Sequence, residues 1–140
     1  MRRIGLIAAA ALAVLGGCGS DPGGGGRPGG GEGAQAFIDC FKVPGYRALK
    51  PPAGQESLFA LEAKRQGYPN TPVNINEGSA SFASVFLIFF EDEDKAKNAL
   101  DQLGRETAGD IPPQQRGPAV IAYPYADDKR KTEKAVDGCL

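Results

Sequence analysis

The chain has 140 residues and a nearly balanced charge, with 16 basic and 17 acidic side chains and a formal net charge of −1. This balance provides no cationic excess for binding phosphate, which argues against nucleic-acid recognition. The chain contains no His, so it lacks the usual general base of catalysis and the commonest protein ligand of metals. We therefore predict that it binds neither a cofactor nor a metal.

The first residues have the pattern of an export signal. Arg2 and Arg3 form a short positive segment, and residues 4–15 are apolar apart from Gly5. This apolar run is shorter than the roughly 20 residues that a membrane-spanning helix needs. Its length is typical of the hydrophobic part of a signal peptide. We predict that residues 1–17 are a signal peptide.

The apolar run ends in Leu15-Gly16-Gly17-Cys18, which resembles the lipobox of bacterial lipoproteins. In that family the Cys thiol receives a diacylglyceryl group with acyl chains such as palmitate, and the signal is cleaved before the Cys. The resemblance implies that Cys18 is the lipidation site and the first residue of the mature chain. Two or more acyl chains anchor a protein firmly in a bilayer. We therefore expect a lipid-anchored protein on the extracytoplasmic face of a cell membrane. A plain secretory signal with a nearby Cys is the alternative.

A glycine-rich segment follows the predicted lipidation site. Nine of the fifteen residues at 19–33 are Gly, and such a segment cannot bury enough apolar surface to offset the entropy of ordering it. We predict a flexible tether at residues 18–34, joined to one globular domain at residues 35–140. All seven Phe and all four Tyr lie in that domain.

The globular domain alternates helix and strand patterns. Helices are predicted where apolar residues recur at i, i+3 and i+4, and strands where apolar and polar residues alternate. Residues 55–66 contain strong helix formers, although a strand is the alternative there. The predicted elements, in chain order, are a helix at 34–42, a strand at 46–49, a helix at 55–66, strands at 71–76 and 80–90, a helix that Asp92 caps and Gly104 ends, a polar loop at 105–117, a strand at 119–125, and a helix from Asp127 or Asp128 to Leu140.

Two of these strands have features of sheet edges. In residues 71–76, Asn74 and Asn76 alternate with aliphatic residues, which is typical of a half-buried strand. The strand at 119–125 has Pro118 and Pro124 near its ends, and proline is confined largely to edge strands. We therefore predict both strands at edges of the sheet.

The strand at 80–90 is predicted to be central, because both of its faces are apolar. Together the elements predict an α+β fold, with a ferredoxin-like β-α-β-β-α-β sheet and an extra helix at each end. The extra helices would cover the second apolar face, so we expect a monomer; sheet-to-sheet pairing of two copies is the alternative. One face of this strand carries Phe82, Phe86, Ile88 and Phe90, and the other carries Ala83, Val85, Leu87 and Phe89.

The remaining cysteines predict a bond between the two terminal helices. Lipidation of Cys18 leaves Cys40 and Cys139, an even number in an exported chain, and each lies on the apolar side of a terminal helix. We predict a structural disulfide that clasps these helices together. A reactive or metal-binding pair is the alternative.

The sequence contains no recognisable catalytic set, since Gly-x-Ser-x-Gly, Ser-x-x-Lys and Walker patterns are all absent. We expect a non-catalytic binding or interaction module of the cell envelope, with an envelope protein or a small ligand as partner. Tyr123 and Tyr125 share one strand face. Such a pair ordinarily belongs to the core; the alternative is that they line a shallow groove, which makes them the candidate surface for a ligand or partner.

A carboxylate-dependent envelope hydrolase is the alternative from a different functional class. Its candidate acids are Glu91, Asp92 and Asp110. This function requires two acids to meet in a cleft, one of them with a raised pKa.

Overall fold

The computed structural model describes residues 30–104 and 111–140. The predicted signal peptide, Cys18, most of the predicted tether and Asp110 lie outside these residues. Within the described residues no helix is both long enough and apolar enough to cross a membrane.

Helices and strands alternate along the chain, and the predicted α+β class is confirmed. The first helix begins at Gly31, within the segment assigned to the tether. The segment with two alternatives, residues 55–66, contains a helix, whose N-cap Ser57 accepts a hydrogen bond from the Ala60 N–H at 3.1 Å. The described elements are α1 (Gly31–Cys40), β1 (Tyr46–Leu49), α2 (Leu58–Arg65), β2 (Asn70–Glu77), β3 (Val85–Phe90), α3 (Glu93–Leu103), β4 (Gln114–Arg116), β5 (Ala119–Ala122) and α4 (Ala126–Cys139).

The five strands form one sheet in the order β1-β2-β3-β5-β4, and every neighbouring pair is antiparallel. The predicted ferredoxin-like topology is therefore not found, because that arrangement inserts a strand between the two strands of a βαβ unit. Here β1 pairs directly with β2, and Leu49 lies opposite Asn74. Because β1 and β2 are antiparallel, the chain leaves β1 and enters β2 at the same end of the sheet. The eight-residue helix α2 between them is only about 12 Å long, so the segments that flank it can make this return.

Strand β4 lies in the segment predicted as a polar loop. It pairs with β5 through a tight turn at Gly117, whose φ of +53° is a conformation that glycine adopts without strain. Because β4 covers β5, and β1 covers β2, neither β2 nor β5 is the edge strand that the sequence predicted.

Two helices cover each face of the sheet. On one face α1 and α4 pack over Val85, Leu87 and Phe89. On the other face α2 and α3 pack over Ile88 and Phe90. The two apolar faces predicted for the central strand are therefore confirmed, and the extra terminal helices account for the first of these cores.

The two terminal helices are joined covalently. Cys40 and Cys139 form the predicted disulfide, with Cα atoms 5.7 Å apart and a sequence separation of 99. The bond connects the last residue of α1 with the last residue of α4. It therefore fastens together the two helices that cover one face of the sheet.

Candidate ligand-binding groove

A groove of about 730 Å³ opens on the sheet face that α2 and α3 cover. Its floor includes Asn74, Phe86 and Ala122, which lie opposite one another across β2, β3 and β5. Directly paired residues of antiparallel strands point to the same face of a sheet. The helices pack over Ile88 and Phe90 farther along β3, so the groove is the part of this face that they leave uncovered.

Three large apolar side chains stand at the rim of the groove and remain exposed to solvent. Leu58 is 79% exposed, Phe82 is 68% exposed and Tyr125 is 60% exposed. Among the described residues, the other exposed large apolar side chains are Leu61 and Leu140, and neither lines the groove. Exposed apolar side chains that gather around a concave surface are typical of a binding site.

Three buried asparagines on β2 form hydrogen bonds to the chain segments that contain the rim residues Leu58 and Phe82. The asparagine row comprises Asn70, Asn74 and Asn76, which are between 3% and 8% exposed. Each side-chain amide donates a hydrogen bond of 3.0 Å to a main-chain carbonyl outside the sheet. The acceptors are the carbonyl of Ala60 for Asn70, of Gln55 for Asn74 and of Ala80 for Asn76.

These acceptors lie next to the rim residues along the chain. Gln55 and Ala60 flank Leu58 at the start of α2, and Ala80 precedes Phe82 in the loop between β2 and β3. The sequence predicted an edge strand with its asparagines on the polar face. They are buried instead, because the neighbouring segments fold over them and their main-chain carbonyls accept hydrogen bonds from the side-chain amides. The asparagine row therefore fixes two sides of the groove.

The structure separates the two tyrosines that the sequence proposed as a surface. Tyr125 lies on the rim, whereas Tyr123 is 2% exposed and belongs to the core between the sheet and α4, although it also lines the groove. Burial raises the pKa of the Tyr123 hydroxyl, and the carboxylates of Glu133 and Asp137 raise it further. The ammonium group of Lys129 on α4 lies 5.8 Å from the centroid of the Tyr123 ring, so Tyr123 packs beside α4, and Tyr125 is the tyrosine that is exposed at the rim.

The groove offers little charge to a ligand. Glu56 is the one charged side chain among the described lining residues. Its carboxylate accepts a hydrogen bond of 2.7 Å from the ammonium group of Lys64, which compensates the charge. The rest of the described lining is apolar or carries uncharged polar groups.

Of the acids considered for a hydrolase, the two that the structure describes lie away from the groove. Asp92 is the N-cap of α3 and accepts a hydrogen bond of 2.7 Å from the Lys95 N–H. Glu91 forms an ion pair with the Lys95 side chain. Both acids are exposed and neither lines the groove, while Asp110 lies outside the described residues. Their observed contacts are those of a helix N-terminus.

Sequence patterns did not identify Leu58 and Phe82 as rim residues. Phe82 was predicted in the central strand with Phe86, but β3 begins only at Val85. The preceding loop turns at Glu77, and the Ser84 N–H then donates to the Ile75 carbonyl. Leu58 lies in an amphipathic helix, where a leucine is ordinarily assigned to the core.

Comparisons of this chain with protein families, with curated proteins and with solved structures found no match.

Proposed function

We propose that this protein is a lipid-anchored binding module of the cell envelope and that the groove is its binding site. The convergence of Leu58, Phe82 and Tyr125 on one groove carries the proposal. Phe82 and Tyr125 are exposed, whereas every other aromatic side chain of the chain is buried or half-buried. Keeping large apolar surfaces in water costs free energy, which a bound partner recovers.

Two features support a location outside the cytoplasm. The segment ending in Cys18 resembles a lipobox, which implies an anchor of acyl chains on the extracytoplasmic face of a membrane. The disulfide between Cys40 and Cys139 is of a kind typical of oxidising compartments. We further propose that the domain acts as a monomer, because two helices pack over the apolar core on each face of its sheet, and we assign the part that they leave uncovered, the groove, to a ligand.

The position of Gly30, the first described residue, supports a groove that is accessible to a partner. Gly30 packs against the end of β3, where a Cβ atom would lie only 2.4 Å from the carbonyl oxygen of Phe90. The groove lies nearer the other end of this strand, at Phe86, and four residues of a strand span about 13 Å. Gly30 and the groove are therefore about 13 Å apart along β3, which supports a groove that a partner can reach.

Photocrosslinking in bacterial cells tests this function. A photoreactive benzoylphenylalanine replaces Phe82 in the full-length chain, and the same analogue replaces Leu61 as a control on the outer surface of α2. We expect a discrete adduct from position 82 in the membrane fraction and none from position 61. Identical adducts from both positions, or none from either, would contradict a binding role for the groove. Cys18→Ser is expected to abolish acylation of the chain.

A further inference from the structure

The lining of the groove identifies a class of ligand, and this inference rests on the function proposed above. We infer that the groove binds an uncharged small molecule with an apolar, ring-bearing body. Its volume of about 730 Å³ falls within the range of about 300–1,000 Å³ that is typical of small-molecule sites. A standard protein interface instead buries about 800 Å² on each partner and is usually flatter.

The charges of the groove favour an uncharged ligand. The described lining contains no Lys or Arg, so a carboxylate or phosphate would lose its hydration without gaining a cationic partner. An organic cation would have to compete with Lys64, whose ammonium group already lies 2.7 Å from the Glu56 carboxylate. An uncharged molecule avoids both costs.

The side chains of the groove favour a ligand that contains rings. Aromatic side chains pack on rings in offset or edge-to-face arrangements, which add to the gain from burial alone. Gln55, Ser57 and Ser81 also line the groove and can form hydrogen bonds with a hydroxyl, carbonyl or amide group of such a molecule. The aromatic side chains of the lining that are exposed or half-buried are Phe82, Phe86 and Tyr125.

Hydrogen bonds within the chain hold the segments that form the groove. Asn74 joins its floor to the Gln55 carbonyl, and Asn76 holds the loop that carries Phe82. Ser57 caps α2, so Leu58 is held at the first residue of that helix. A site with fixed walls loses less entropy on binding, and such preorganisation suits a compact, rigid ligand.

Photolabelling with three probes of matched shape tests the inference. The probes are benzophenone, which is uncharged, 4-benzoylbenzoate, which is anionic, and 4-(aminomethyl)benzophenone, which is cationic. The full-length chain, solubilised in detergent with its disulfide intact, is irradiated with each probe. Peptide mapping by mass spectrometry then locates the labelled residues. We expect benzophenone to label residues 55–59 and 81–86, and each charged probe to label them at least about tenfold less.

Variants on α2 and in the loop after β2 provide the controls. We expect the double substitution Leu58→Ala and Phe82→Ala to lower benzophenone labelling of the groove by about tenfold. Leu61→Ala, which removes an exposed leucine outside the groove, should leave labelling unchanged. The melting temperature of each variant shows whether it remains folded.

Three results would overturn the inference. They are labelling spread over the whole surface, preferential labelling by a charged probe, and equal loss of labelling in Leu61→Ala. If benzophenone fails to label the groove while the photoreactive residue at position 82 still gives its adduct in cells, the inference on ligand class fails and the proposed binding function stands.

Discussion

Asn74 connects the floor of the groove to its wall. Its amide donates to the Gln55 carbonyl, while its own Oδ1 is buried without a partner among the described residues. We expect Asn74→Ala to lower the free energy of unfolding by about 1 kcal/mol, at the low end of the cost of breaking a buried hydrogen bond, because it also removes an unsatisfied acceptor. Urea unfolding measures this loss, and the exposed Asn98→Ala on α3 is the control. Equal losses in both variants would contradict the role of Asn74.

Tyr46 provides a contact between the sheet edge and α4 that depends on pH. Its hydroxyl donates to Asp128 Oδ1 at 2.9 Å. Burial, followed by this hydrogen bond and by the carboxylates of Asp128 and Glu77, raises the pKa of Tyr46 from 10.0 to about 12. The folded protein therefore retains this proton more strongly than the unfolded chain. The resulting stabilisation is complete below pH 10 and is lost as the pH rises from 10 to about 12.

We therefore expect Tyr46→Phe to weaken the alkaline loss of stability. In the native chain the free energy of unfolding should decrease between about pH 9 and about pH 12, and in the variant it should decrease less. Urea unfolding at both pH values measures the difference. The raised pKa of Tyr123 contributes equally to both proteins, so the comparison isolates Tyr46. Parallel decreases in the two proteins would contradict the role of this hydroxyl.

Among the elements, α3 has the clearest N-terminal signal. Asp92 accepts from the Lys95 N–H, and Glu93 and Asp94 follow in the first turn. We expect Asp92→Ala to lower the free energy of unfolding by about 1 kcal/mol, whereas Asp92→Asn should retain nearly full stability because asparagine caps equally well. Thermal or urea unfolding of the two variants measures the difference. If Asn were as damaging as Ala, the capping role would be contradicted.

Helices and strands with a clear pattern of apolar residues could be predicted from the sequence. Elements without such a pattern could not. The unbroken apolar run within residues 80–90 identified a central strand with two covered faces. Strand β4 was missed because Gln114–Arg116 contains no apolar residue, and it pairs only because the turn at Gly117 brings it against β5. The order of the sheet depends on distant pairs such as Leu49 with Asn74, and no local pattern encodes those pairs.

The candidate groove could be predicted only in part. Tyr125 was proposed as a surface residue, and it does lie on the rim. Phe82 and Leu58 were not, because a residue that continues an apolar pattern is assigned to the core unless a loop places it elsewhere. The role of the asparagine row could not be predicted either. Asparagines that alternate with aliphatic residues give the same sequence pattern whether their face of the strand is exposed to solvent or covered by loops.

At the scale of the whole molecule, the disulfide is the main covalent constraint on the domain. It joins the C-terminal ends of α1 and α4, which are 99 residues apart. We expect the double substitution Cys40→Ser and Cys139→Ser to lower the free energy of unfolding by about 2–5 kcal/mol, as removal of a native disulfide from a small domain typically does. Urea unfolding of the oxidised chain, the reduced chain and the variant measures this loss. A variant as stable as the oxidised chain would contradict the structural role of the bond.

The anchor, the disulfide and the groove belong to one picture of the molecule. In the proposed function, a lipid on Cys18 anchors the chain at a membrane, and the groove binds a ligand of the envelope. In the structure, Gly30 packs at the Phe90 end of β3, and the groove lies nearer Phe86. The proposal requires export, since lipobox cysteines are acylated outside the cytoplasm and structural disulfides persist in oxidising compartments.

The intact mass of the full-length chain, purified from bacterial membranes, tests export most directly when it is measured before and after reduction. We predict the mass of a chain that begins at Cys18 and carries a diacylglyceryl group. We also predict a gain of about 2 Da on reduction, as the disulfide takes up two hydrogens. An unprocessed chain beginning at Met1, with free thiols and no mass change on reduction, would contradict the anchor, the disulfide and an extracytoplasmic binding function together.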